Sequence, residues 1–205
     1  MAAQPQPGSD EQALINRVRA GDSNAFYDLV RPHERAIYVT AYSILQEPSE
    51  AEDVAQETVL KAFRSLHQFR GDARFGTWLI TIAMNEARMR LRSRQRARFE
   101  SLDATAPDDP DYVPLQLRDW REIPSQALER QELRVALARS LAALDEKYRE
   151  VLVLRDVQLL NVAETAEVLG ITPGNVKVRL LRARLQMRDR LVTELSGWHL
   201  KRKEK

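Results

Sequence analysis

The side chains most able to do chemistry in this 205-residue chain fall into two cationic clusters. In the first, every second residue from Arg88 to Arg98 is arginine, with Phe69, Phe75, Trp78 and Asn85 just upstream. Guanidinium groups hold phosphates, aromatic faces stack on unpaired bases, and a carboxamide offers the donor and acceptor that a base edge requires. That combination suits a separated nucleic-acid strand. In the second cluster Lys177, Arg179, Arg182, Arg184 and Arg188 occupy a stretch with no acid between Gly174 and Arg188. Such a run favours a duplex, because phosphates attract the cations and arginine pairs bidentately with guanine.

Catalytic chemistry finds little support. There is no cysteine, and the three histidines, His33, His67 and His199, are scattered. Asp108, Asp109 and Asp111 are clustered, but they sit among Pro107, Pro110 and Pro114, where an extended chain offers no rigid ligand geometry. The expectation is therefore a binding protein with no metal, no cofactor and no enzymatic activity.

Helices are expected to position both clusters. A two-residue step turns about 200° on a helix, so the alternating arginines ring the end of their helix with charge. Helix is favoured over strand there because Met89, Leu91, Gln95 and Ala97 are good helix formers and no β-branched residue occurs from Ala83 to Arg98. Phe75, Trp78, Leu79, Ile82 and Ala83 start that helix with an apolar stripe after the turn Arg70-Gly71-Asp72. Trp78 suits either the core or a base. Upstream, Asp10–Ala20 reads as a short helix with Leu14, Ile15 and Val18 on one face, ended by Gly21 and followed by the cap Asp22. Asn24–Gln46 is broadly apolar, with Pro32 as a break or kink. Pro48 is expected to stop it, and Ser49 with Glu52 to form a capping box for the next helix. That helix has Ala51, Val54, Ala55, Thr58, Ala62 and Leu66 on one face, and Glu50, Asp53, Glu57, Lys61 and Arg64 opposite. The helix macrodipole alone accounts for acids early and bases late.

Composition changes at Phe99–Ser125, where seven acids oppose two arginines among four prolines; a flexible acidic linker is expected. Helical periodicity returns over Gln126–Leu144 with Leu128, Leu133, Leu137, Leu141 and Leu144 as apolar positions. Asp145 then caps a helix that buries Tyr148, Val151, Leu152, Leu154 and Val157. From Val162 the chain has the grammar of a helix-turn-helix: a short amphipathic segment, Gly170, Thr172 as N-cap, Pro173 at the first helical position and a longer basic helix. In that second helix Val176, Leu180, Ala183 and Met187 face the core. The fold class is thus all-α, with two small helical domains joined by a flexible linker. Segments 1–9 and 196–205 are expected to be a disordered start and a frayed basic tail. With 32 Lys+Arg against 30 Asp+Glu the net charge is only +2, so the distribution of charge is more informative than its sum. Met1–Ser9 has no signal-peptide pattern, and no apolar run approaches a membrane span; a cytoplasmic protein without membrane insertion is the simplest fit.

Five short motifs, in this order, resemble the bacterial RNA polymerase sigma factors of the extracytoplasmic function group (ECF, group IV) in the sigma-70 family. They are Asp53-Val54-Ala55-Gln56-Glu57 with Lys61-Ala62-Phe63, then Phe69-Arg70-Gly71-Asp72, Thr77-Trp78-Leu79, Ile82-Ala83-Met84-Asn85, and Ala166 to Arg184. The resemblance implies a region 2 domain at 10–98, a linker at 99–125 and a region 4 domain at 126–195. It implies contacts to core RNA polymerase, at the β′ clamp, from Asp53, Gln56, Glu57, Leu60 and Arg64, and a β flap contact elsewhere. Minus-ten promoter DNA would be opened and held by Phe69, Arg70, Phe75, Trp78, Asn85, Arg88 and Arg92, with a flipped base near Asn85. The minus-thirty-five element would be read by Lys177, Val178, Arg179, Leu181, Arg182 and Arg184. The linker, with Tyr112 and Trp120, would thread polymerase channels as a mimic of nucleic acid. An anti-sigma factor, a role in stress response and association with the nucleoid in holoenzyme are implied as well. Val178 and Asn175 stand where such factors often carry serine and threonine, so an apolar touch on a thymine methyl would replace a hydroxyl contact. Thr165, in a place usually held by isoleucine, should slightly weaken the core.

Overall fold

The computed structural model describes residues 7–100 and 124–203, with side chains over 10–97 and 133–194. Residues 101–123, including Asp108, Asp109, Asp111, Tyr112 and Trp120, and residues 1–6 lie outside it. Among the described residues all regular structure is helical: α1 (Pro7–Arg19), α2 (Ser23–Val30), α3 (Glu34–Leu45), α4 (Pro48–Ser65), α5 (Phe75–Glu100), α6 (Pro124–Ala142), α7 (Glu146–Leu152), α8 (Val162–Leu169) and α9 (Pro173–Lys203). None of these is long and apolar enough to cross a membrane. Two compact units divide at Arg90 and Leu91.

In the first unit α1 packs on α2, and α3 on α4. The helix α1 begins at Pro7, earlier than expected, with proline where its missing N–H costs nothing. Asp22 caps α2 as expected: its carboxylate accepts from the backbone N–H of Asn24 at 3.1 Å and of Ala25 at 3.3 Å. Arg17 reaches the same carboxylate at 2.7 Å, and this hydrogen bond leads the causes that hold the Asp22 carboxyl below its ordinary range. Pro32 breaks the expected long helix into α2 and α3 through a 3-10 turn, Arg31–His33.

Two boundary expectations fail. Gln46, at φ 55°, ends α3 in the left-handed region, and Pro48 opens α4 rather than stopping α3. The cap of α4 is Glu47, whose carboxylate accepts from Ser49 N–H at 3.2 Å, so Ser49 is already helical and the Ser49–Glu52 box does not form. Proline at the first helical position decides this, because it leaves the preceding residue extended, as a cap must be. Ala51, Val54, Thr58, Ala62 and Leu66 are buried as their spacing requires. Of these, Ala62 and Leu66 meet Phe26, Leu29, Ile37, Phe75 and Leu79 in one core, each large apolar side chain contributing about 1.5–3 kcal/mol on burial.

The second unit departs further from its pattern. On α6 the buried positions are Ala136 and Ser140, followed by Leu144 just past its end, while Leu133 and Leu137 are exposed. Since α6 packs against α9, small side chains facing the partner helix allow the close approach that leucines would block. Past α7 the chain opens into a π-helical turn, Val153–Val157. The wider turn carries Val157 off the 3.6-residue register, and it is exposed instead of buried. The basic tail is helical as far as Lys203.

Candidate nucleic-acid and docking surfaces

The loop before α5 rests on an aromatic base. Phe69 and Phe75 meet edge-on with centroids 5.6 Å apart, and Trp78 lies 5.2 Å from Phe69 and 5.6 Å from Phe75. Phe75 is fully enclosed and Phe69 is 7% exposed, whereas Trp78 is half-buried. In this conformation Phe69 and Phe75 are core residues, because burial in an apolar cluster leaves neither ring open to a base. His33 caps the cluster at 5.7 Å from Phe75, and burial pushes its imidazole below the ordinary histidine value, partly opposed by Glu11. Gly76 permits the fit, since a Cβ there would meet the His33 ring at 3.0 Å. A further brace comes from Arg19 on α1, which donates to the backbone carbonyls of Phe69 and Leu66.

From this base Arg70 and Asp72 are held in solvent around Gly71, at φ +83°. On α5 Leu79, Ile80, Ala83, Met84 and Ala87 are buried. Asn85 is exposed with no intramolecular partner, Arg88 is half-buried, and Arg92 is exposed one turn further on. The spacing 85, 88, 92 keeps these three on one face of the helix.

Between α4 and α5 runs a groove of about 450 Å³, lined by Asp53, Gln56, Glu57 and Leu60 from one side and Glu86, Met89 and Arg90 from the other. Leu60 and Met89 are 49% and 57% exposed, an apolar floor open to a partner. Charged pairs rim it: Arg90 with Asp53 at 2.7 Å, and Lys61 with Glu86 at 2.7 Å and Glu57 at 3.8 Å. The groove thus gathers four of the five α4 residues named from the sequence, with Arg64 exposed beyond it. Its second wall was missed, although the spacing 86, 89, 90 is the signature of one helix face.

In the second unit α8 starts with a reciprocal capping box, in which Glu164 N–H donates to Asn161 at 3.0 Å and Asn161 N–H to Glu164 at 2.7 Å. Gly170, at φ +65°, ends it in the left-handed region, and the Thr172 hydroxyl oxygen accepts from Asn175 N–H at 3.2 Å to start α9. Thr165 is fully buried, and its hydroxyl donates to the Asn161 carbonyl at 2.8 Å. The cost of threonine there is therefore lost methyl packing rather than an unpaired hydroxyl. Val176, Leu180 and Ala183 anchor α9 from within, with Met187 half-buried. On the outside, Lys177 and Arg182 are exposed, Arg179 is half-buried, and Val178 and Leu181 are 48% and 61% exposed. Arg184 differs from the other cations because its guanidinium makes two bonds to Asp156, at 2.9 and 2.6 Å. That hydrogen bonding raises an already high pKa, and Arg184 fastens α9 to the π-helical turn rather than standing free. Arg149 is another internal strut: buried, it donates to the carbonyls of Ala142 at 2.8 Å, at the end of α6, and of Leu144 at 3.1 Å, just beyond it.

Residues 29–97 match the sigma-70 region 2 family, and residues 134–187 the sigma-70 region 4 family. Over 178 residues the chain is 36% identical to the RNA polymerase sigma-H factor of Pseudomonas aeruginosa, covering 85% of this chain and 90% of that protein. It is 34% identical over 177 residues to the ECF RNA polymerase sigma-E factor of Escherichia coli, again covering 85% and 90%. The chain is an ECF sigma factor of the sigma-70 family. Among solved structures, this sigma factor resembles CnrH in complex with the cytosolic domain of CnrY, with a TM-score of 0.62, 28% identity, and 90% and 98% of the two chains covered. The sigma factor RpoE of Bartonella quintana, in complex with the anti-sigma factor NepR, shares the fold at a TM-score of 0.62 and 23% identity. As a sigma factor the chain directs RNA polymerase to promoters and serves transcription initiation. Its α1, with the brace Arg19, lies ahead of the region 2 match.

Proposed function

We propose that this sigma factor, of group IV, docks on the β′ clamp of core RNA polymerase through the α4–α5 groove and melts the minus-ten element of the promoter with the loop and helix that follow. The observation that carries the reading is Asn85: an unpartnered carboxamide, exposed on a helix otherwise rich in arginine, beside a loop braced from beneath. A base flipped from the duplex costs a few kcal/mol, which hydrogen bonds to such an amide and stacking must offset. Trp78, half-buried at the edge of the aromatic cluster, is the one of the three rings with surface left for a base. Phe69 and Phe75 act by shaping the loop. Arg70, Arg88 and Arg92 hold phosphates.

The region 4 domain, taken as 126–195, contacts the β flap and reads the minus-thirty-five element with Lys177, Val178, Arg179, Leu181 and Arg182, while Arg184 sets the pose of α9. The linker, 99–125, threads the polymerase channels, and the region 2 domain is 10–98. An anti-sigma factor covers the same surfaces, in keeping with the complexes of the two relatives above. The site of action is the cytoplasm, at the nucleoid when in holoenzyme, and the setting is a stress response. Run-off transcription with core polymerase on a promoter library tests the reading. Initiation at one defined two-part motif, with permanganate-reactive thymines at minus ten that vanish without the chain, is the expected result; initiation without either overturns it.

A further inference from the structure

We propose that α9 reads thymine methyl groups, with Val178 and Leu181 touching the methyls of two thymines in the minus-thirty-five element and Arg182 pairing with a guanine beside them. This rests on the duplex-reading role just proposed for the same helix. At about 100° per residue, Val178, Leu181 and Leu185 fall within an arc of about 60°, opposite the buried Val176, Leu180 and Ala183. All three are open to water, at 48%, 61% and 42% exposure, so the outward ridge of a helix packed on its other side is apolar.

The rim of that ridge identifies its occupant. Lys177 and Arg182 flank it, exposed and without intramolecular partners, and no acid lies between Gly174 and Arg188. A cationic rim around an apolar ridge is the complement of phosphate walls around an apolar floor. On the major-groove edges of the four bases, the thymine methyl is the apolar group. A protein helix on this ridge would need acids along both its margins, whereas every turn of a duplex supplies the charges. Arg184 is withdrawn from base contact by its two bonds to Asp156, which leaves the apolar pair a larger share of the recognition.

Spacing sets which thymines. Residues three apart advance about 4.5 Å along a helix, against about 3.4 Å per base-pair step, so the two methyls belong to adjacent or next-but-one base pairs. The test uses holoenzyme assembled from the full chain and core polymerase, with competition binding to its selected promoter. Each minus-thirty-five thymine is replaced singly by deoxyuridine, which deletes the methyl and keeps every hydrogen-bonding group. Two positions should each weaken binding about fourfold; Val178→Ala should abolish the response at one and Leu181→Ala at the other. Both residues are exposed, so both variants should melt like wild type. A sequence-selective holoenzyme that is indifferent to deoxyuridine at every position overturns the methyl contacts, as do responses undiminished in both variants. A holoenzyme with no minus-thirty-five preference overturns the duplex-reading role as well.

Discussion

Neutralising the α4 wall of the docking groove, with Asp53→Asn and Glu57→Gln together, should separate polymerase affinity from stability. Inside the chain the two carboxylates hold little: the Arg90–Asp53 pair is 42% and 57% exposed and the Lys61–Glu57 pair 37% and 45%. Exposed pairs of this kind are worth about 0.2–1 kcal/mol each, so the region 2 domain should lose at most about 2 kcal/mol and remain folded. At the polymerase the same carboxylates would be covered by the partner. A desolvated, hydrogen-bonded charge typically costs about 2–5 kcal/mol when truncated. Docking must first exchange Asp53 away from Arg90, which returns about 1 kcal/mol; counting one desolvated carboxylate of the two, about 1–4 kcal/mol is left, or a complex weaker by at least roughly 5-fold to 1000-fold. Titration of labelled chain with core polymerase reads the affinity, and thermal melting of the free chain reads the stability. Arg90→Met supplies the opposing arm, because it frees Asp53 beforehand and should leave affinity equal or higher. Unchanged affinity in the double variant, with an unchanged melt, would mean that the groove is a solvated face and that the polymerase binds elsewhere.

Asn85→Ala should leave polymerase binding intact and suppress permanganate reactivity at minus ten; footprints equal to wild type reject the base contact. Arg19→Ala removes the brace on the Phe69 and Leu66 carbonyls and should slow promoter opening, with activity restored on a template already unpaired at minus ten; no rescue on that template would point to a general folding defect. Arg182→Ala should cost about 1–3 kcal/mol of discrimination at one minus-thirty-five position, read by competition between promoters, and equal preference refutes it. Burial holds His33 neutral in the folded state, so the unfolded chain binds the extra proton and stability should be full above about pH 6.5 and decline as pH falls below it. His33→Gln should flatten that slope in melts from about pH 7.5 to about pH 5, and an unaltered slope assigns the dependence to other groups.

Local signals were legible wherever one short stretch decides the outcome. Gly170, Thr172 and Pro173 spell the turn and restart of the helix-turn-helix, and the structure forms both where the sequence puts them. The buried face of α4 likewise follows its apolar spacing. Where two local signals competed, the reading chose wrongly: Ser49 and Glu47 are both able to cap α4, and Pro48 between them selects Glu47. The face of α6 was misread for another reason. Leucine is the stronger hydrophobe, but Ala136 and Ser140 are the buried positions of a helix that packs on α9, and only the tertiary packing selects small side chains over apolar area. The π-helical turn at Val153–Val157 breaks the assumed period outright. On α5 and the loop before it, the aromatic residues were legible as a group, while the enclosure of Phe69 and Phe75 depends on His33 and Trp78 arriving from both sides.

The arginines make the more general point, because residue type alone does not tell a cation that reads nucleic acid from one that holds the fold. Arg17 supports the cap of α2, Arg19 the loop before α5, Arg149 the end of α6, Arg155 the carbonyl of Leu160, and Arg184 the link from α9 to Asp156. Each satisfies oxygen atoms from distant or cap positions, so it is committed before any partner arrives. Lys177, Arg179 and Arg182 have no such commitment, and they are confined to the outer part of one helix. Gathering them on one helix, in a stretch with no acid between Gly174 and Arg188, lets a chain of net charge +2 bind DNA locally without a strong field over the whole molecule. That placement also fixes the expected salt response: with Arg182 on a guanine, the slope of binding by the region 4 domain should reflect about two phosphate contacts, from Lys177 and Arg179, at roughly 0.9 ions each. A steeper slope, near that of four, would show that Arg184 and Arg188 leave their aspartates for the phosphates, and that the Asp156 link opens when DNA binds.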